Sequence, residues 1–460
     1  MARRRAVSSA DTLFTLTLFL LPWIGVGLFQ LLLGRSLSTG VQPALLSGGA
    51  ALLCLPFVGW RGLDGDGERW LALLLWIILG TAALWQLQDM GLQGEMPWLK
   101  GLKQCVQLVY FFALALLPTV LLARSEDKSR TLARWERAAS LGLLLASLVG
   151  LYLALAFFVE VPAGHRLLDI LSSNRSIASG SDELYLGHSF VGIPRVRSGA
   201  AEPLYFGSYL LCVLPVTAVA LARAKGWARL WRGFTLLLGL ACLLLTFSRG
   251  VYLGLSLLVI LSAIGMARGI LPKPSKRTGI PLALLLLLGT LALSALFTSG
   301  GILALPRLLL ARMEQSFAQH DLSNLTRLSS WRAAAILFWQ HPLFGVGWSG
   351  FGFWFYRVLN GSGTAAVFGW PVTNSFPLRV LAETGLVGAL LWASVLARPL
   401  SPLRGVLSGR HAKVNGVSFV LASCLAALLL QMLTFSQMNL PHLWLSGGVA
   451  AALARWDGVA

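Results

Sequence analysis

Charged residues are scarce in this chain. They make up 12% of its 460 residues, against 56% hydrophobic ones, and the mean hydropathy is +0.74. That balance excludes a soluble globule and points to a polytopic membrane protein. Acidic residues are scarcer still, 18 against 37 lysines and arginines, for a formal charge of +19. In a soluble chain such an excess would suggest a nucleic-acid partner. Cysteines number five, at Cys54, Cys105, Cys212, Cys242 and Cys424, all inside apolar stretches. An odd count in that setting excludes a disulfide or metal framework. There is no Walker loop, no Rossmann glycine pattern, no HExxH pair and no Cys/His ligand spacing. No nucleotide, metal or other cofactor is therefore expected. Internal repeats and low-complexity tracts are also lacking.

What the chain does have is apolar runs of helical length. About twelve occur, near 12–33, 41–60, 70–87, 102–123, 138–159, 203–222, 233–248, 250–267, 280–298, 377–397, 415–435 and 440–454. The start MARRR with its apolar run resembles a signal sequence. The run is long enough to span, and no small-residue cleavage site follows, so it reads as a retained first helix. With the N-terminus inside, the short loops on that side collect most of the basic residues. Examples are Arg61, Arg69, Arg124, Lys128, Arg134, Arg223, Arg229, Arg268, Lys276, Arg277, Arg398, Arg410, Lys413 and Arg455. The positive-inside rule then places both termini in the cytoplasm, and the charge needs no nucleic acid to explain it.

The remaining basic residues fall on the other side, against that bias. They include Arg35, Arg175, Arg195, Arg197, Arg249, Arg307, Arg312, Arg327, Arg332 and Arg379. The two longest loops, about 160–202 and 299–376, lie on the same side. Long loops in a compact protein are usually functional, so function is expected at the outer face. Arg249 stands in LLLTFSRGVYLGL, between two apolar spans with no room for a hydrated loop. It either snorkels to the interface or serves a function. Arg195 and Arg197 precede a span, with Glu202 near enough to pair with either. Arg379 and Glu383 stand at i and i+4 and read as a structural pair or as part of a site. Guanidinium forks bind phosphate oxygens bidentately. Several on one face, without a nucleotide motif, suggest a diphosphate carried by a lipid.

The stretch 327–383 concentrates these signals. RLSSWRAAAILFWQ reads as a short helix ending at the Pro342, Gly345, Gly347 cluster. A helical wheel gathers Leu328, Trp331, Ala335, Phe338 and Trp339 on one apolar face, with Arg327 inside it and Arg332 at its edge. Such a helix either lies in the membrane interface with snorkelling arginines or binds phosphate over a membrane cavity.

Four segments in order resemble the bacterial O-antigen polymerase and O-antigen ligase family of integral-membrane glycosyltransferases. They are RVRSGAAEPLYFGSYL, TFSRGVYLGL, RLSSWRAAAILFWQHPLFGVGWSGF and TNSFPLRVLAETGLVG. The resemblance implies an all-α, GT-C-like membrane fold of about twelve transmembrane helices with a large periplasmic loop. Helices one to nine would occupy 1–298, a periplasmic lid with an amphipathic helix 299–376, and helices ten to twelve 377–460. It implies a donor glycan on undecaprenyl diphosphate, no metal, and residence in the bacterial inner membrane with the active site facing the periplasm. Arg249 and Arg327 would grip the diphosphate. Arg195, Arg197, Arg332, Thr373, Asn374 and Arg379 would contact substrate. Ligases resembling this family place a histidine where Thr373 stands, and threonine cannot act as a base near neutral pH. Glu202 is then the first candidate for the base, while His341 reads as a helix-end residue. The missing histidine favours a Wzy-type polymerase. A ligase acting on lipid A–core is the alternative, and a lipid or polysaccharide transporter a further one. Chain-length regulators and other polysaccharide-assembly proteins are the partners such a polymerase would meet.

Overall fold

A computed structural model describes residues 2–33, 41–58, 66–82, 84, 87, 91–92, 94–156, 159, 162–174, 189–190, 193–273, 279–296, 301–314, 322–359, 370–409 and 414–457. Arg35, Arg61, Arg175, Lys276, Arg277, Arg410 and Lys413 lie outside these residues. The regular structure of the described residues is helical except for one antiparallel ribbon of two-residue strands, β1 (Ser189–Phe190) and β2 (Ile193–Pro194). It is an all-α, polytopic membrane protein.

The first half builds α1 (Ala2–Leu20), α2 (Leu28–Leu33), α3 (Pro43–Leu53), α4 (Leu55–Val58), α5 (Asp66–Ala82), α6 (Pro97–Arg124), α7 (Lys128–Leu155) and α8 (Gly164–Leu171). Next come α9 (Pro203–Arg223), α10 (Trp227–Leu245), α11 (Arg249–Ala267) and α12 (Gly279–Ala295). The long loop carries α13 (Gly301–Glu314), α14 (Leu322–Gln340) and α15 (Phe351–Val358). The chain closes with α16 (Phe376–Ala397), α17 (Ser401–Leu407), α18 (Gly416–Gln431) and α19 (Pro441–Trp456). Each of the predicted spans contains helix. Several helices start on a proline at the first or second position, where its missing N–H costs nothing: α3, α6, α9, α16 and α19.

Among the described residues six helices are long and apolar enough to cross a membrane: α6, α7, α9, α10, α11 and α16. α1 and α14 have 19 residues each but are less apolar, and the remaining helices are shorter. α18 and α19 have 16 residues each. Such a helix rises about 24 Å, less than a hydrocarbon core of ~30 Å. The shortfall is filled by non-helical chain, 432–440, which joins these two helices and is mostly buried in protein. Irregular backbone at membrane depth is tolerated only in that setting.

Polar contacts gather the basic helix ends at one end of the bundle. Lys128 lies 5.3 Å from the Trp456 ring, Arg134 pairs with Asp11 at 2.9 Å, and Arg232 pairs with Glu136 at 2.8 Å. Asp457 accepts from Asn415 N–H and from the Ser418 hydroxyl. The N-terminus of α9, the α10–α11 elbow, the start of α16 and the 432–440 segment lie at the opposite end.

The tenth predicted span is not a straight helix. Gly385 sits within α16 at φ 65°, ψ −169° and breaks it into two arms. The rings of Phe376 and Trp392 are 5.4 Å apart across the bend. In a straight helix 16 residues would separate them by about 24 Å. The bend costs helical hydrogen bonds, and the 342–347 turn replaces them. Val346 N–H donates to Ala382 O at 2.9 Å, Gly347 N–H to Glu383 O at 3.0 Å, and Leu386 N–H to Pro342 O at 2.8 Å. Trp76 Nε1 donates to Thr384 O at 3.0 Å. A side chain on Gly345 would meet the Glu383 carbonyl carbon at 2.4 Å, and one on Gly385 would meet Leu343 O at 2.2 Å.

Below the bend an aromatic cluster joins four helices. Trp392 packs on Phe112 at 5.9 Å, on Trp444 at 6.1 Å and on Trp348 at 6.2 Å. Trp444 stacks on Phe111 at 5.4 Å, and Trp70 tilts onto Phe112 at 4.3 Å. The cluster fixes α5, α6, α16 and α19 to one another and supports the loop segments above.

Gly385→Ala should therefore destabilise the protein by at least ~2 kcal/mol, from a positive φ and a backbone clash together. Gly233→Ala is the control, because nothing lies within 4 Å of its added carbon. Thermal unfolding in detergent, followed by tryptophan fluorescence, should show a large loss for the first and little change for the second.

Candidate active site

Two groups of side chains lie at the end of the bundle opposite the basic helix ends, joined through the 432–440 segment. The first surrounds the elbow between α10 and α11. A helix C-terminus leaves carbonyls without partners, and here other segments supply donors. Tyr252 hydroxyl donates to Leu244 O at 2.6 Å and Val196 N–H to Leu245 O at 2.9 Å. Arg195 Nε donates to Thr246 O at 3.1 Å, and Arg312 Nε to Phe247 O at 3.0 Å. Phe247 is fully buried at φ 44°, a conformation that costs a residue with a Cβ about 1–2 kcal/mol. These bonds orient two guanidinium planes at the elbow. Arg249 follows as the first residue of α11, half-buried. A cation at a helix N-terminus opposes the helix dipole, and an anion there satisfies both.

Glu202 sits half-buried just before α9, with its carbonyl accepting from Tyr205 and Phe206 N–H. Its carboxylate does not cap the helix. Leu204 is near the elbow, since a side chain on Gly250 would meet Leu204 Cδ1 at 3.5 Å and Thr434 Oγ1 at 2.5 Å. The elbow thus adjoins both the α9 N-terminus and the 432–440 segment.

The second group lies on α14 and the 370–375 segment. The helix ends at Gln340, ahead of Pro342, where the sequence places its end. Its packing face is not the predicted apolar one. Thr326, Ser330, Ala333, Ala334 and Leu337 are buried, whereas Leu328, Trp331, Ala335 and Trp339 are exposed, Trp339 by 77%. The reason is size: alanines and hydroxyls let α14 approach α15 and α16 closely, and the bulky residues face outward to the membrane or interface. Arg327 lies half-buried on the flank between the two faces, and Arg332 is exposed on the outer face. Asn374, at φ 51°, donates through Nδ2 to Ser330 Oγ at 3.4 Å, and its carbonyl accepts from Trp331 Nε1 at 3.3 Å. Thr373 beside it is buried, 2% exposed. Phe376 N–H donates to Met432 O at 2.8 Å, which ties this group to the 432–440 segment and so to the elbow.

Besides Arg195, two more of the predicted site arginines hold backbone. Arg197 is buried and donates to Ala200 O and Ala201 O, each at 3.3 Å, and to Ser172 Oγ at 2.6 Å. Arg379 pairs with Glu383 at 2.9 Å, donates to Ser436 O at 3.1 Å and lies 4.2 Å over the Trp348 ring. Glu383 in turn accepts from Phe351 N–H at 3.3 Å. This pair joins α16 to the 345–350 turn and the 432–440 segment. His341 is exposed at the end of α14, 5.7 Å from the Trp354 ring. Arg312 was not singled out in the sequence as a site residue. The signal was its place among the basic residues that defy the positive-inside bias.

Residues 234–393 match the model of the O-antigen ligase family. The match covers 160 of the 460 residues and supports the resemblance to that family. It covers the elbow, the long loop with α13 to α15, and the bent helix to beyond Gly385. Arg195, Glu202 and the 432–440 segment complete the same end of the molecule from outside the match. No curated protein matches the chain.

The side chains of Arg379 and Glu383 are 13% and 3% exposed. Removing one partner of such a pair costs about 3–5 kcal/mol, because the other charge stays buried. Arg379→Gln should lower the unfolding temperature sharply, and the double substitution Arg379→Gln/Glu383→Gln should recover part of the loss. Unfolding of the single and double variants in detergent gives the coupling directly.

Proposed function

We propose that the protein is a membrane glycosyltransferase that polymerises glycan units carried on undecaprenyl diphosphate, an O-antigen or related polysaccharide polymerase. The observation that carries this reading is the gathering of Arg195, Arg249 and Arg312 at one strained elbow inside the stretch that matches the ligase family. Arg249 grips the donor's diphosphate, where the α11 N-terminus adds its own positive end. Arg327 reaches the same lipid-linked group from the flank of α14, and Asn374 positions a sugar. Glu202 takes the proton of the acceptor hydroxyl. The acceptor oxygen attacks the anomeric carbon, the bond from that carbon to the phosphate oxygen breaks, and the diphosphate leaves with the electron pair. Stabilising that leaving group is the main electrostatic task. Energy comes from the glycosyl-diphosphate bond. In this reading the site faces the periplasm, both termini are cytoplasmic, and 299–376 covers the site as a lid.

Thr373 supports the polymerase over the ligase. It is buried and lacks a basic lone pair, so the acceptor differs from the one a ligase histidine would serve. Deleting the gene should leave a single repeat unit on the final acceptor, read as one band in a gel of surface glycans. Bare core with accumulated long lipid-linked chains would instead establish the ligase.

Arg249→Lys should abolish most turnover of a defined lipid-linked donor while leaving the unfolding temperature near wild type, since a point charge cannot replace a bidentate fork. Glu202→Gln should bind the same donor without turning it over. Full activity in the lysine variant would show that Arg249 merely reaches the interface.

A further inference from the structure

A second site lies beneath the aromatic cluster, on the side away from the arginines. A narrow, partly open groove runs between α5, α6, α16, α18 and α19. Its upper end is the underside of the cluster, formed by Phe376, Trp392, Met432 and Trp444. Its lower end is Arg398 with Pro399, at the C-terminus of α16. Arg398 is the charged residue among the described lining. Arg69 on α5 donates to Ser394 O at 3.4 Å, one helical turn before Arg398, so a second guanidinium stands near that end. The rest of the wall is almost wholly apolar.

The dimensions suit one leaflet. On α19 the lining runs from Leu443 to Ala451. Eight residues rise about 12 Å, within the ~15 Å of hydrocarbon that is half of a ~30 Å core. The charged mouth lies at the end of the bundle where the basic helix ends gather. A groove with apolar walls, one leaflet deep, and a guanidinium at its mouth matches an amphiphile with an anionic head and a single inserted chain.

We propose that this groove binds an anionic phospholipid of the leaflet at the basic end, with its phosphate on Arg398 and one acyl chain against Trp392 and Trp444. The bound chain fills the space under the aromatic cluster and so braces the bent helix and the site above it. The inference is independent of the reaction catalysed.

The test measures bound lipid on the intact protein. Wild type purified in detergent and delipidated is titrated with phosphatidylglycerol and with phosphatidylcholine, and occupancy is read by native mass spectrometry. One phosphatidylglycerol should bind, and it should raise the unfolding temperature relative to phosphatidylcholine. Arg398→Gln should weaken binding roughly tenfold, the effect of one lost charge-assisted hydrogen bond. Gly447→Phe should block the groove. Gly447→Ala should not, because its added carbon would meet only Leu425 atoms, at 3.9 Å and beyond. Should Gly447→Phe fail to fold, Arg398→Gln and Gly447→Ala decide. Wild-type binding in Arg398→Gln overturns the proposal. So does recovery of a polyprenyl phosphate from the groove in place of the phospholipid.

Discussion

The hydrogen bonds that join the 342–347 turn to the break at Gly385 are the constraint on which the site end depends. A helix bent inside a membrane exposes backbone groups that lipid cannot satisfy. Here the exposed carbonyls of Ala382 and Glu383 and the N–H of Leu386 find partners on the turn. The two glycines are required by contact as well as by conformation. Each passes so close to the other's segment that any side chain would collide. Neither segment can take its observed shape alone. The bend then sends the first arm of α16 back toward the Met432 carbonyl and carries Thr373, Asn374 and Arg379 with it.

The elbow at 245–249 solves a similar problem with charge. The carbonyls that end α10 point toward the site, and two of them accept from arginine Nε atoms. The same bonds that cap a helix also draw positive charge to the start of α11. Structure and chemistry share these side chains, whereas Arg197 and Arg379 serve chiefly to pin backbone. Loop 432–440 touches both groups, through Thr434 at the elbow and Met432 at Phe376.

A glycosyl transfer that draws on a diphosphate bond needs a stabilised leaving group, a placed acceptor and little else from the protein. This end of the molecule holds cationic groups at a helix N-terminus, a carboxylate just before α9, and an aromatic floor held by Trp392. The floor separates the arginine end from the apolar groove below it. The two faces of the aromatic cluster therefore meet different chemistry, polar above and lipid-like below.

The sequence by itself determined the class and the places of the helices. Hydropathy and helix-breaking residues suffice for these, because lipid forces backbone hydrogen bonds to be local and so makes spans legible one at a time. The end of α14 was legible for the same local reason. Its packing face was not: the wheel ranks residues by hydrophobicity, but close approach to α15 and α16 selects the small side chains and leaves the large ones outside. The bend at Gly385 was also hidden, since a glycine inside an apolar run is compatible with a straight helix until a partner segment captures the broken bonds. Which arginines cap carbonyls, which pair with Glu383 and which gather at the elbow depends on contacts between residues far apart in the chain. Only the tertiary structure decides that, because a guanidinium takes its role from the acceptors placed around it.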